Sequence, residues 1–234
     1  MGDDGRAAEA SIDGELDGIY GRLSRPERIP RATYRVQLHA GFPFAAAAAL
    51  AGYLEALGIS DLYASPIFRA RPGSLHGYDL VDHGEISPEL GGEAGLDVLS
   101  AALGEHGLGL ILDLVPNHVG VGGSDNAWWM EVLEDGPASR RAACFDIDWA
   151  PPCPGLEGKV LLPILPAPYG DVLESGALRL VRVGGSLSLA FGDARLPLHP
   201  PSYSLVLEPA AASMDGADEE RAELEALALS LIHI

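Results

Sequence analysis

Cysteine is nearly missing from this chain, with only Cys144 and Cys153 among 234 residues. The two stand close together around a proline-rich stretch, with no Cys-x-x-Cys pair and no histidine at ligand spacing. That excludes a disulfide framework of the secreted kind and a zinc ribbon, and free thiols in a reducing, cytoplasmic compartment are expected; a single local disulfide is the alternative. Basic residues are scarce too, 15 against 34 acidic ones, for a formal net charge of −19. Such a charge repels phosphate backbones and anionic bilayers, and no Lys/Arg stripe offsets it. Nucleic acid and membrane are therefore poor partners, and a neutral or cationic ligand fits better. Lysine is reduced to Lys159 alone, a skew that follows the Ala and Gly richness of a GC-rich coding sequence and carries no chemistry of its own. Long apolar runs are also lacking: residues 44–50 and 108–112 fall far short of a bilayer span. The acidic opening segment has neither the basic flank nor the apolar stretch of a signal peptide. What remains is core material. At 47% hydrophobic and 21% charged, the chain can bury one or two globular cores and is not an acidic disordered tail.

Ile12, Leu16, Ile19 and Leu23 recur at helical spacing until Pro26 and Pro30 stop them, predicting a short helix and linker over residues 1–30. Alternation over 33–38 then reads as a strand. An Ala-rich helix follows over 44–57, with Leu50, Leu54 and Leu57 on one face and Gly58 closing it. Residues 59–65 read as a second strand ended by Pro66. Leu96, Leu99 and Leu103 mark another helix closed by Gly107, and 109–115 is the strongest strand signal, a near-continuous apolar run of the kind a parallel strand buried on both faces needs. Strand, helix, strand, helix, strand is the order of right-handed crossover units, so an α/β fold with a parallel sheet is expected over 31–118. An insertion at 68–92 lengthens the second crossover on the side where the C-terminal ends of the strands open, which is where such folds carry their sites. From 119 to 207 the sequence turns Trp-, Pro- and Gly-rich, with β-like runs at 159–162, 177–183 and 186–191. An irregular β-rich subdomain inserted after the third strand is the expectation. Over 208–234, Asp215, Asp218, Glu219, Glu220, Glu223 and Glu225 in front of Leu224, Leu227 and Leu231 predict an acidic surface helix, on which the chain breaks off.

Two segments carry candidate chemistry. Asp113, Asn117 and His118 end the strongest strand, converging a carboxylate, an amide and an imidazole on one mouth. Equally, Asp113 and Asn117 can tie down a βα loop with His118 a satisfied structural histidine. In the loop after the second strand stand His76, Gly77, Tyr78 and Asp79, followed by Asp82 and His83. Gly77 permits a close turn, Tyr78 offers an aromatic face, and Asp79 is a strong acceptor. An aromatic face beside a carboxylate suits a sugar, whose C–H surface stacks while its hydroxyls need acceptors. The plain alternative is a turn whose Asp caps a loop. The spacing of these His and Asp residues matches no common zinc template, and no metal or other cofactor is assigned. Trp128 and Trp129 could serve as stacking platforms, but neighbouring residues face different ways, so at least one is expected in the core.

In order, TYRVQLHAGF, LGISDLYASPIF, RPGSLHGYDLVDH and GLGLILDLVPNH resemble the first half of the catalytic barrel of the α-amylase superfamily of glycoside hydrolases. The run 113–118 is similar to that family's first signature segment, and residues 77–79 to its Tyr-Asp pair. More narrowly, ASPIFRARPGSLHGYDLVDH, DNAWW, VLEDGP and FDIDW resemble the maltooligosyltrehalose synthase family, with similarity from about residue 29 to about residue 207. The resemblance implies a (β/α)8 barrel of which this chain holds about three strands plus the inserted subdomain. It also implies the family's intramolecular transglucosylation, which turns the reducing-end α-1,4 linkage of a maltooligosaccharide into an α,α-1,1 linkage by a retaining route. By position, Tyr78 would stack on the sugar with Asp79 beside it, and His118 would hydrogen-bond its hydroxyls. Asp113 would support the catalytic carboxylates, and His76 lies among the substrate-binding residues. Asn117 is a calcium ligand in many amylases, but this branch is not known for needing the metal. The family's nucleophile lies in an Arg-x-Asp-x-x-Asp-Gly motif and its acid on a following Glu-bearing strand, and neither motif is present. Phe191-Gly-Asp-Ala-Arg195 has the wrong order. An N-terminal fragment, inactive alone, is the expectation. The alternatives are another hydrolase or transglycosylase of the superfamily, or a non-catalytic carbohydrate-binding protein.

Overall fold

The computed structural model describes residues 29–214 and 218–231. The helix expected around Ile12 to Leu23 lies outside the described residues. The first half runs β1 (Thr33–Val36), α1 (Phe44–Ala48), α2 (Ala51–Ala56), β2 (Asp61–Ala64), a hairpin of β3 (Phe68–Ala70) and β4 (Leu80–Ile86), α3 (Gly92–Glu105) and β5 (Gly109–Leu112). Strands β1, β2 and β5 form one parallel sheet in that order, in unbroken register from Thr33 through Asp61 to Gly109. The crossover pattern read from hydrophobic periodicity is thus present, with β3 and β4 pairing antiparallel as a separate hairpin inside the second crossover.

One face of the sheet makes the core. Val36, Leu62 and Ala64 pack with Phe44, Leu54, Leu99 and Leu103 of the helices, all essentially sealed from solvent. Helices α1 and α3 meet closely at Gly95, where a Cβ would come within 3.1 Å of the Phe44 ring and 3.3 Å of the Leu90 carbonyl. Any larger residue there would push the helices apart. The single helix expected over 44–57 is divided: the Leu50 amide bonds to the Ala47 carbonyl rather than one residue further back, a tightened turn between α1 and α2. The stop at Gly58 is as read, in the left-handed region with φ 84°, and the Ile59 amide returns to the Leu54 carbonyl.

The strand 109–115 departs from expectation. It is not buried on both faces: Leu112 and Leu114 are 37% and 59% exposed, because β5 is an edge of a three-stranded sheet with no neighbour beyond it among the described residues. Apolar content records what a strand would bury in a complete sheet, whereas exposure depends on whether the next strand is there.

After β5 come α4 (Ala127–Asp135), α5 (Tyr169–Glu174), an antiparallel meander of β6 (Arg179–Val183), β7 (Ser186–Phe191) and β8 (Ala194–Pro197), then α6 (Ser204–Ala212) and α7 (Asp218–Leu231). The Asn126 side chain caps α4 by accepting from the Trp129 amide at 3.1 Å. Trp129 is buried against Phe145, while Trp128 is 40% exposed with the Arg141 guanidinium 4.1 Å above its ring. Residues 159–162 form no strand, being followed by Pro163 and pairing with no strand among the described residues. Strand β8, which composition did not signal, ends on Pro197 at the sheet's edge, a position where a missing amide is tolerated.

Candidate functional site

The sheet face opposite the helices is polar. Side chains alternate along a strand, so Arg35 of β1, Tyr63 of β2 and Ile111 of β5, which are register partners, share that face, and Asp113 lies two positions beyond Ile111. The Asp113 amide bonds to the Ala64 carbonyl at 3.0 Å, carrying the sheet past the end of β5. Tyr63 donates its hydroxyl to Asp113 Oδ2 at 3.1 Å, and Tyr78, from the hairpin loop, donates to the same oxygen. Arg35 Nη2 donates to the Tyr78 hydroxyl oxygen at 3.1 Å, with its guanidinium 5.7 Å from the Tyr63 ring centre. The hydrogen bond to Tyr78 raises the Arg35 pKa further, so this cation is permanent. The bond to the Asp113 carboxylate raises the Tyr63 phenol above its ordinary value, since ionising it would place two negative charges together.

Gly77 fixes the loop that brings Tyr78 in. It is buried with φ 76°, and a Cβ there would stand 2.7 Å from the Pro66 carbonyl oxygen. The Ser74 hydroxyl accepts the Gly77 amide at 3.1 Å and donates to Asp79 Oδ1. Gln37, one residue past β1, donates to the Leu75 carbonyl at 2.9 Å. The His76 ring stacks on Tyr78 with centroids 6.0 Å apart, and its Nδ1 accepts the Tyr78 amide at 3.0 Å. His118 reaches across with Nε2 3.1 Å from the Tyr78 carbonyl. Its Nδ1 lies 3.2 Å from Asn117 Oδ1, so both ring nitrogens face oxygen atoms. Replacing Gly77 with Ala combines a strained backbone with a clash against main chain. Gly77→Ala is expected to destabilise the protein by about 1–3 kcal/mol, measured as a lowered urea midpoint at unchanged slope, and an unchanged midpoint would show that the loop adapts freely.

His76, Tyr78, Asp79, Asp113 and His118 are thus gathered at the C-terminal edge of the sheet. Asp82 and His83 are turned to local tasks: Asp82 Oδ1 accepts the Gly84 amide at 2.7 Å, and His83 Nε2 meets the Val115 carbonyl at 2.9 Å. Among the described residues no group of three or more His, Cys, Asp or Glu is placed to hold a metal ion. Arg35, Tyr63 and Gln37 were not singled out from sequence. Alternation put them on strands, but only the register shows that two of them converge on Asp113 and Tyr78.

A cavity of about 590 Å³ opens elsewhere, between α4, the 157–162 segment and the meander. Leu162, Leu189, Leu196 and Leu198 dominate its wall beside Trp149. Two of its charged groups are engaged by the loop itself: Glu157 accepts the Gly155 amide at 2.8 Å and Lys159 donates to the Gly155 carbonyl at 2.9 Å. Its wall is mainly apolar, unlike the strand-end cluster of donors and acceptors.

Parallel strands in register, crossover helices on one face and a polar cluster at the strands' C-terminal ends define the class: the first part of an α-amylase-type (β/α)8 catalytic barrel. The family described as Alpha amylase, catalytic domain, matches residues 50–163. Within that class the chain is similar to the maltooligosyltrehalose synthases. A putative maltooligosyl trehalose synthase of Mycobacterium tuberculosis is 48% identical over 177 residues, covering 73% of this chain and 22% of that protein. The solved maltooligosyltrehalose synthase of Arthrobacter ramosus is 42% identical with a TM-score of 0.63, covering 73% of this chain and 21% of that one. A hypothetical maltooligosyl trehalose synthase of Sulfolobus tokodaii is 31% identical with a TM-score of 0.62, covering 80% and 24%. This chain therefore spans only 22% of the length of the curated relative. Among the described residues no helix is long and apolar enough to cross a membrane.

Proposed function

We propose that this chain is the N-terminal part of a cytoplasmic (1→4)-α-D-glucan 1-α-D-glucosylmutase that makes trehalose-ended glucans from maltooligosaccharides. What carries the proposal is the likeness, in sequence and in fold together, to maltooligosyltrehalose synthases. Residues 31–118 would be the opening of the catalytic barrel and 119–207 an insertion after its third strand. The net charge of −19 suits a neutral glucan and opposes an anionic substrate.

In the retaining route a carboxylate attacks the anomeric carbon, the glycosidic bond breaks, and a carboxylic acid gives its proton to the departing oxygen. The released glucose, held in place, then gives its anomeric hydroxyl proton back to that base as its oxygen displaces the enzyme carboxylate. This chain contributes sugar positioning to that sequence. Tyr78 presents its ring face to the sugar, with Asp79 beside it as an acceptor. His118, whose ring is exposed, bonds the sugar's hydroxyls, and Asp113 underlies the reacting carboxylates. The nucleophile and the acid/base come from strands outside this chain.

The test uses a polypeptide extended through the remaining strands and maltopentaose as substrate. A non-reducing trehalose-ended product with loss of reducing ends supports the mutase, whereas a rise in reducing ends marks a hydrolase. His118→Ala should then lower kcat/KM on the order of 10²-fold with unchanged melting, as loss of a transition-state contact does. Unaltered turnover would remove His118 from the site.

A further inference from the structure

We infer that Arg35 is a positioning residue of this site, which by donating into the Tyr78 oxygen opposite Asp113 locks the ring that faces the sugar. The inference rests on the proposed contact between Tyr78 and an α-glucan.

A phenol has one proton and one oxygen, and a guanidinium donates only. With Arg35 Nη2 3.1 Å from the Tyr78 oxygen, the hydroxyl proton cannot point back at Arg35. It goes to Asp113 Oδ2, which accepts from Tyr78 and Tyr63 together. The chain Arg35 to Tyr78 to Asp113 therefore has one polarity, and no rotation of the hydroxyl reverses it. Asp113 alone would set that direction; Arg35 adds the second hold on the same oxygen, which glutamine, shorter and uncharged, would not supply.

Arg35 is well placed for the task. It stands on β1 as the register partner of Tyr63 on β2, and its guanidinium over the Tyr63 ring is within the range of a cation–π contact. A strand residue held at two points is a firmer anchor than the hairpin loop that carries Tyr78. Asp113 grips the Tyr78 hydroxyl from one side and Arg35 from the other, so ring tilt is set by two separate strands of the barrel. Arg35 is also a fixed positive charge beside the two phenols, and its field holds the Tyr63 phenol lower than Asp113 alone would leave it.

The test is a double-mutant cycle on kcat/KM for maltopentaose in the extended enzyme. Arg35→Met keeps the stem and removes donor and charge, and Tyr78→Phe keeps the ring and removes the hydroxyl. Arg35→Met is expected to lower kcat/KM by about 10–100-fold, as misplacement of a bound sugar does, with a melting temperature close to the parent's. In the Tyr78→Phe background the same change should lower it less than threefold. Arg35→Lys, which keeps a donor and a charge, should recover part of the loss, and Arg35→Gln should not. By NMR of ring-labelled tyrosine, Arg35→Met should also move the Tyr63 ionisation upward, as loss of the neighbouring positive charge requires. Full additivity of the two changes, or unchanged kcat/KM in both Arg35→Met and Arg35→Gln, overturns the inference. A silent Tyr78→Ala overturns the Tyr78–glucan contact and this inference with it, while product formation by the parent enzyme judges the mutase reading separately. Should Arg35→Met fail to fold, Arg35→Gln and Arg35→Lys decide the matter alone.

Discussion

Incubated with maltopentaose, this 234-residue chain is expected to form no trehalose-ended product and to release no glucose. A retaining glycosyl transfer needs two carboxyl groups about 5–5.5 Å apart across the scissile bond, one to attack and one to move the proton. The carboxylates nearest to the candidate motifs are committed otherwise. Asp113 accepts two phenols through one oxygen. Asp79 accepts the Ser74 hydroxyl. The Asp193 to Arg195 stretch, superficially like a nucleophile motif, lies at the β7–β8 turn, where Arg195 Nη1 is spent on the Gly192 and Ala194 carbonyls. Glu225 pairs with Arg221 at 3.1 Å on α7. Removing both reacting groups takes away most of an enhancement that is typically 10⁶-fold or more, so the expected rate is that of the blank. Product above that blank, followed by chromatography, would show that a nucleophile and acid exist within this chain.

The second large effect belongs to Asp113. In the extended polypeptide Asp113→Ala is expected to lower kcat/KM by roughly 10²–10³-fold, because Tyr78 and Tyr63 lose their shared acceptor and the ring facing the sugar is released. Folding should survive, since Asp113 is only half-buried, with a loss on the order of 1 kcal/mol for each hydrogen bond. Tyr63 supplies a readout specific to the contact. Its pKa is raised in the folded state by the bond to Asp113, so the stabilisation from that bond is fully present below the ordinary phenol range. It fades as pH rises through the raised value. In Asp113→Ala the Tyr63 ionisation should fall back toward the ordinary phenol value, and Asp113→Asn, which retains an acceptor oxygen, should lie between. Kinetics within twofold of the parent for Asp113→Ala would mean that the carboxylate supports nothing the sugar meets.

Much of this molecule is legible without coordinates. Leu96, Leu99 and Leu103 announce α3, Gly58 announces the end of α2, and the order of periodic segments yields the parallel sheet, because spacing along the chain reports local geometry directly. The candidate residues on the hairpin and after β5 were also readable, since their motifs are short and contiguous. Other features were not. The 109–115 run is expected to be buried on both faces, yet β5 is an edge strand among the described residues, and no property of the run itself tells whether a neighbour stands beyond it. The 159–162 run has strand-like composition but no pairing strand among the described residues, while β8 has a partner and little composition to show for it. Arg35 and Tyr63 looked like ordinary members of alternating strands.

By itself, then, the amino-acid sequence determined the crossover order, the helix stops and the polar residues at positions 76–79 and 113–118, because these depend on neighbours within a few residues. Only the tertiary structure decided that one carboxylate oxygen takes two phenols and that a guanidinium holds one of them from its other side. Those hydrogen bonds join residues 35, 43 and 50 positions apart. Contacts of that range exist only once β1, β2 and β5 have settled into register, when one residue of slippage would turn Arg35, Tyr63 and Asp113 toward the helices instead.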